Sequence, residues 1–470
     1  MNNEILRGLL PLAGWNEDRL DDLTLTGGSD PILPTSFRIG DTSTAALSAV
    51  GLAVSDLWES KTGRKQRVSV DARRATASLR SGKYMQMDGA GVLTERNMVM
   101  GTYPTKDGRW SYLHCNFPNH RAAALSVLGV NEDRDEVTKA VAKWDALDLE
   151  EAIIEARGAG GMVRSMEEWA IHPQAAAIAS LPLMDIVKIA DSPPEPLPDG
   201  SRPLSGVRVL DLTRVLAGPT CARTLAEHGA DVMKITAGHL PNIGYQEYDT
   251  GHGKLNATLD LRDGRQMETL RGLVRQTDVF SQGYRPGTLG GRGLSPEELA
   301  ELRPGIVYIS LSAFSHEGPW ASRRGFDTVV QTVSGITQRQ GELFPGAIPG
   351  PQFYPVSAID YLTVYLMAFG GIVALNKRIH EGGSWLVRIS LAQVGRWLVS
   401  QGEIPETQLK DVAAEFTPEE IASWLMVSET PMGNLGHLSP VIGLSESAPR
   451  WSRPSVPLGY HDPVWPVRSK

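Results

Sequence analysis

Residues 207–235 constrain the chain more than any other stretch. VRVLDL (207–212) is a short apolar run with β-branched residues, and TRVLAG follows as a loop. TCARTLAEH reads as a helix whose first turn suits Pro219, and Gly229 stops it before a second apolar run, DVMKI (231–235). A strand, a short loop, a helix and a strand packed so closely make a βαβ unit, which requires a parallel sheet. More strands are predicted at DVF (278–280) and IVYISLS (306–312), with LSPEELAEL as the helix between them. The expected fold class is α/β, with a doubly wound parallel-sheet (Rossmann-like) large domain.

A dinucleotide site does not follow from that unit. The turn VLAGP lacks GxGxxG, and the second strand ends in Lys234-Ile235 where a ribose-binding acid is wanted. Upstream, the Pro- and Gly-rich SPPEPLPDGSRPLSG (192–206) reads as a linker. Before it, GTYPTKDGRWSYLHC (101–115) alternates about a turn at Lys106-Asp107-Gly108 and predicts a β-hairpin. NHRAAALSVLG, RDEVTKAVAKW, DLEEAIIEARGA and SMEEWAIHPQAAAIA then read as successive helices, so a small α+β domain is expected. The predicted organisation is a partial helix–strand copy over 1–85, the small domain over 86–191, the linker over 192–206 and the large domain with its C-terminal tail over 207–470.

The copy is visible by aligning IGDTSTAALSAVGLAVSDLWESKTGRKQRVSVDARRA with AIDYLTVYLMAFGGIVALNKRIHEGGSWLVRISLAQV, without gaps, at an offset of 319. Asp41 falls on Asp360, Thr44 on Thr363, Gly51 on Gly370, Gly63 on Gly382 and Val68 on Val387. Each copy reads as an acid, an apolar helix, a Gly-containing turn and a strand. Two readings stand: duplication of an ancestral segment, or two similar amphipathic units.

Apolar residues make up 41% and charged residues 21%, as in an ordinary globular protein. The net charge of −8 gives no global reason to expect nucleic acid, so any anion site must rest on local Lys, Arg or backbone N–H groups. Cys115 and Cys221 lie far apart with no CxxC, which predicts reduced, buried thiols in a cytoplasmic protein. His114, His120, His172, His252 and His316 show no metal-ligand spacing, and no metal is expected. The N-terminus carries an early acid, no basic n-region and only a short apolar run, so it does not read as a signal peptide. The longest uncharged apolar run, 361–375, stops at Asn376-Lys377-Arg378, short of a membrane span.

Asp360 stands at the head of that run. An Asp at a helix start serves as an N-cap. The same position suits a nucleophile, since helix N–H groups hold the carboxylate and apolar surroundings strip it of water. The two readings are compatible.

SGVRVLDLTRVLAGP, GADVMKI, HGKLNATLDLR, GYRPGTLGGRGLSPEEL, IVYISLSAFSHEGP and GFDTVVQTVSGIT, in this order over residues 203–340, resemble the class III CoA-transferases, the CaiB/BaiF family. The Asp360 helix, GGSWLVRISL and the tail SPVIGLSESAPRWSRPSVPLG continue the resemblance, and GTYPTKDGRW with its helices resembles the family's small domain. The order is permuted or partly duplicated, because a helix–strand copy and the small domain come first. The resemblance implies transfer of CoA from an acyl-CoA thioester to a small carboxylic acid through an aspartyl anhydride and an aspartyl-CoA thioester. It implies CoA as substrate, no permanently bound cofactor, and a homodimer. Asp360 matches the nucleophile, and Asp41 matches the same motif in the first copy. Asp360 is preferred because an intact βα domain precedes it. For CoA the resemblance points to Val215, Leu216 and Ala217 in the first turn, Lys234 after the second strand, and Arg285 and Arg292 in YRPGTLGGR. Racemases of the same fold place a His between Gly and Asp, where this chain has Gly325-Phe326-Asp327; phenylalanine exchanges no protons, which favours a transferase over that isomerase. A non-catalytic acyl-CoA-binding subunit is the remaining reading.

Overall fold

The computed structural model describes residues 3–92, 97–346 and 349–468. Its first unit is a strand, β1 (Leu23–Thr26), and a 24-residue helix, α1 (Ile39–Thr62). Gly63 ends that helix in the left-handed conformation (φ 72°), which glycine adopts without a Cβ penalty. β2 (Val68–Asp71) runs parallel to β1. Asp71 caps the next helix, α2 (Ala72–Ser78), by accepting the N–H groups of Arg73 (3.1 Å) and Arg74 (3.0 Å).

The hairpin forms as the sequence predicts. β3 (Gly101–Pro104) and β4 (Trp110–Leu113) pair antiparallel around a turn where Gly108 has φ 75°. Three helices cover them: α3 (Pro118–Leu128), α4 (Arg134–Val141) and α5 (Ala146–Glu155). β5 (Gly160–Met162) adds to the far side of β4. Val99, Tyr103, Leu113, Val137, Leu149 and Ile153 form a separate core for this lobe. The last predicted helix breaks in two at Pro173, which opens a new first turn.

β6 (Asp185–Ala190) joins the large sheet rather than this lobe. The segment predicted as a linker is also anchored at its end. Leu204 is fully buried, and the Arg202 guanidinium donates to the Arg450 carbonyl at 2.6 Å.

The large sheet is laid down by β7 (Arg208–Asp211), α6 (Ala217–Glu227), β8 (Asp231–Thr236), α7 (Gly244–Thr250), β9 (Lys254–Thr258), α8 (Gly264–Val274), β10 (Val279–Gln282), α9 (Pro296–Leu302), β11 (Val307–Ser312), α10 (Asp327–Val333), α11 (Ala358–Glu381), β12 (Ser384–Ser390) and α12 (Leu391–Ser400). The seven strands lie in the order β9-β8-β7-β10-β11-β12-β6, all parallel except β6, so the order reverses between β7 and β10. Both faces are covered because alternate strand residues point in opposite directions. Val209, Val232, Val279 and Ile309 join the core that holds α6 and α11, while Leu210, Met233, Phe280 and Tyr308 join the core with α8 and α9.

The repeat is structural. α11, like α1, runs 24 residues, starts 319 positions later and ends at a glycine with positive φ, Gly382. A Cβ at Gly51 would meet Val68 at 2.5 Å, and one at Gly370 would meet Val387 at 2.9 Å, so each glycine lets its helix settle on the following strand. Ser390 caps α12 as Asp71 caps α2. The two long helices pack along each other in one core. Among the described residues, α11 is the one helix long and apolar enough to cross a membrane, and it is almost wholly buried inside the protein.

Candidate active site

The first turn of α6 explains the VLAGP sequence. Asp211, at the end of β7, accepts the Thr213 N–H (2.9 Å) and pairs with Lys254 (2.9 Å); neither charged side chain is exposed. Lys254 also donates to the Pro219 carbonyl (2.6 Å), tying the strand end to the helix start. A Cβ at Gly218 would stand 2.1 Å from the Thr213 Cβ, so only glycine fits there. Val215 takes φ 71°, a costly conformation for a β-branched residue that the surrounding fold must impose.

That turn forms one wall of a cavity of about 660 Å³. Leu212 and Arg214 to Ala217 follow β7, Gly283 to Pro286 follow β10, and Leu311 to Ala313 end β11. The cavity therefore lies at the carboxyl ends of the strands, where the strand order reverses. Phe117 to His120, at the start of α3, close it from the small lobe, and the loop Arg323–Phe326 closes it beside them. Asp360 is the one carboxylate among the described residues that line it.

Asp360 occupies the third position of α11 and does not cap it. Asp327 does, from the start of α10: its carboxylate accepts the Asp360 N–H at 2.9 Å and also the Ile359 N–H. Gln331 holds the other Asp327 oxygen and receives the Tyr354 N–H (3.3 Å) on its own carbonyl. The Asp360 carboxylate has no hydrogen-bond partner among the described residues. Burial, and then the Asp327 charge, push its pKa well above the usual carboxylate range. Burial likewise holds Asp327 at about 6.

The first copy repeats this device with a different outcome. Asp30 accepts the N–H groups of Gly40 (3.1 Å) and Asp41 (2.8 Å), the positions equivalent to Ile359 and Asp360, and burial beside Asp41 raises it to about 7. The Asp41 carboxylate, however, is occupied. It accepts the Asp30 N–H (3.3 Å) and faces the Arg38 guanidinium (3.4 Å). Asp41 does not line the cavity.

The other predicted residues divide. Val215, Leu216, Ala217 and Arg285 meet at the cavity with Asp360. Lys234 does not. It is buried under the sheet's edge and paired with Glu247 on α7, so its ammonium is spent on the fold. Arg292 also stands apart, its guanidinium donating to the Leu261 carbonyl (3.2 Å) on the surface. Cys115 and Cys221 are buried free thiols outside the cavity, and burial raises both. Among the described residues no group of His, Cys, Asp and Glu could hold a metal ion.

Sequence reasoning missed Asp327, Arg214, Arg324 and His120. Arg214 directly precedes the predicted turn, and Arg324 precedes Gly325-Phe326-Asp327, so adjacency was the available signal. His114 stacks behind Phe326 (3.9 Å between rings, 15°) and does not line the cavity, whereas His120 does. Burial and the fields of Arg324 and Arg214 hold His120 at about 4, so it is neutral near pH 7.

The model of CoA-transferase family III matches residues 22–194 and 204–420. The acetyl-coenzyme A transferase nodX of Hypoxylon pulicicidum is 28% identical over 425 residues, covering 80% of this chain and 71% of that protein. An acyl-CoA transferase of Gibberella moniliformis is 27% identical over 419 residues, covering 77% and 72%. The succinyl-CoA–D-citramalate CoA-transferase of Chloroflexus aurantiacus is 33% identical over 228 residues, covering 46% and 56%. A solved CAIB/BAIF family protein from Brucella suis aligns with 50% of this chain and 65% of its own at 26% identity and a TM-score of 0.38.

Proposed function

The chain belongs to CoA-transferase family III, and on that premise we propose that it moves CoA from an acyl-CoA thioester to a carboxylic acid through covalent intermediates on Asp360. The observation that carries this reading is the Asp360 carboxylate: among the described residues it is the one acid lining the cavity and has no hydrogen-bond partner, and Asp327 relieves it of capping its helix.

The Asp360 carboxylate attacks the thioester carbonyl, the C–S bond breaks, and CoA leaves as a thiolate, giving a mixed anhydride. The thiolate then attacks the aspartyl carbonyl of the anhydride. The donor acid departs as a carboxylate and an aspartyl-CoA thioester remains. The acceptor carboxylate attacks that thioester, re-forms an anhydride and releases the thiolate, which attacks the new acyl carbonyl. The products are a new acyl-CoA and ionised Asp360. No water enters these steps, and the apolar walls formed by Leu216, Leu240, Leu311 and Phe326 suit that requirement. Asp360 acts in its ionised form, so its raised pKa makes turnover increase as pH rises.

In this reading CoA lies across the point where the strand order reverses, with its pantetheine along Val215–Ala217 and its anionic end toward Arg285 and the α6 N-terminus; the position of the cavity at the carboxyl ends of the parallel strands supports it. An isomerase working by proton shuttling requires a basic imidazole against the acid, and the depressed basicity of His120 argues against that. Hydroxylamine added during turnover with acyl-CoA tests the proposal. It should leave a hydroxamate on the peptide bearing Asp360 and none on the peptide bearing Asp41. An unmodified Asp360 peptide during active turnover would overturn the assignment.

A further inference from the structure

The stretch of cavity wall over Arg323–Phe326 belongs to the large domain but is held by the small lobe. Glu150, on α5, is 2% exposed and does not line the cavity. Its carboxylate accepts two Arg164 guanidinium nitrogens (2.7 and 2.9 Å), the Met162 N–H (2.8 Å) and the Arg323 guanidinium (3.0 Å). Both guanidinium groups lie over the Trp320 ring, at 4.2 Å for Arg323 and 5.1 Å for Arg164. Burial opposes the charge of Glu150, yet the two arginines hold its carboxyl below the usual range. Arg323 is thus a cavity residue tied by a buried ion pair to a lobe with its own hydrophobic core.

The far end of the same wall meets the lobe through aromatic rings. Phe326 stacks on His114 at 3.9 Å and meets His120 edge-on at 5.7 Å. Phe117 packs against both His120 (5.5 Å) and Phe326 (6.1 Å). Phe117, His120 and Phe326 all line the cavity, so their rings form a seam between lobe and domain. The seam directly precedes Asp327, whose carboxylate receives the Asp360 N–H. Such a seam excludes water only while its two sides stay in contact, and the Glu150–Arg323 pair, three residues before Phe326, supplies that hold.

Resting on the transferase reading above, we propose that Glu150 is a positioning residue: through Arg323 it latches the seam shut, keeps water from the intermediates on Asp360, and so decides transfer against hydrolysis. Water that reaches the aspartyl-CoA thioester attacks its carbonyl and breaks the C–S bond. The departing thiolate takes one proton of that water and leaves as free CoA, and the other proton is released as Asp360 returns to its carboxylate. The donor thioester is then consumed while the acceptor acid stays unused.

The test supplies the full-length enzyme with acetyl-CoA and ¹³C-labelled acetate. Labelled acetyl-CoA, read by mass spectrometry, reports transfer, and free thiol reports hydrolysis. Only active molecules contribute to their ratio, so partial unfolding of a variant does not alter it. Glu150→Gln removes the charge, whereas Arg323→Met cuts the latch and leaves Glu150 both of its bonds to Arg164. Each should raise hydrolysis relative to transfer by at least about tenfold, the scale of one lost charge-assisted contact. The double variant should add less than about twofold to the larger single effect, since the two residues act as one unit. Arg323→Lys should restore part of the original ratio. A ratio in R323M within about twofold of the unaltered enzyme would overturn the proposal, and so would a double variant whose effect is the product of the two single ones. If the unaltered enzyme yields neither labelled acetyl-CoA nor the Asp360 hydroxamate, the transferase reading itself fails. If it yields both and the ratio ignores both substitutions, only this inference falls.

Discussion

Replacing Asp327 by Asn separates the two jobs of this carboxylate: capping α11 and charging the neighbourhood of Asp360. Asparagine keeps one acceptor oxygen for the Asp360 N–H, now 2.9 Å away, and removes the charge. A hydrogen bond to a charged group contributes about 1.5–3 kcal/mol and a neutral one about 1 kcal/mol, but that difference exists only where Asp327 is ionised, and its raised pKa already contains it because the bonds from Asp360, Gln331 and Ile359 hold that value down. The net effect of the substitution therefore comes from ionisation. Burial raises Asp327 from 3.8 to about 6. At about 1.4 kcal/mol per pH unit, the ionised fold therefore bears a cost of about 3 kcal/mol. The folded state holds the proton more tightly, so this cost is absent below about pH 4, grows between about 4 and 6, and is complete above 6. Asparagine never bears it. Urea denaturation should therefore find the variant within about 1 kcal/mol of the parent near pH 4, where folded Asp327 is already neutral, and more stable than it by up to about 3 kcal/mol at pH 7.5. The acid limb of CoA-exchange activity should also move to lower pH, because the Asp327 charge no longer opposes ionisation of Asp360. A stability difference of the same size at both pH values, with an unmoved acid limb, would refute the coupling of the two carboxylates.

Asp41→Asn should hold turnover within about twofold in a steady-state assay, because Arg38 and the Asp30 N–H occupy that carboxylate away from the cavity. Lys234→Met strands Glu247 in the interior and should cost about 3–5 kcal/mol in chemical denaturation; a stable variant with a raised KM for acyl-CoA would instead return Lys234 to the binding site. Gly218→Ala drives a Cβ against Thr213 and should cost about 1–3 kcal/mol while weakening CoA binding by calorimetry, since the whole turn must shift. Raising ionic strength should raise KM for acyl-CoA, as expected for a cavity lined by unpaired arginines.

The elements legible in the sequence were those specified locally. The β7–α6–β8 unit follows from two β-branched runs and Gly229, and the parallel sheet follows from it. The duplicated helix was legible because its length, its closing glycine and the glycine facing the strand valine all keep one offset. Contacts between distant segments were not legible. Asp327 caps a helix that starts 31 residues later, and no local pattern marks it as a cap for anything but its own helix. Lys234 lies inside β8, two residues before its end and not after it as expected of a ligand, and Glu247, on the following helix, claims its charge. DIVKIA precedes the predicted linker, so its pairing with β12 depends on tertiary proximity alone. Arg214, Arg324 and His120 gather from three separate loops and lobes, and only the folded cavity brings them together.

The central claim is that Asp360 forms an acyl bond in each turnover, and oxygen transfer tests it most directly. An acceptor acid labelled with ¹⁸O in its carboxylate contributes the bridging oxygen of the second anhydride. When the thiolate takes the new acyl group, that oxygen stays on the aspartate. Mass spectrometry after turnover should find ¹⁸O on the peptide bearing Asp360, and product formation with an unlabelled Asp360 peptide would contradict the account.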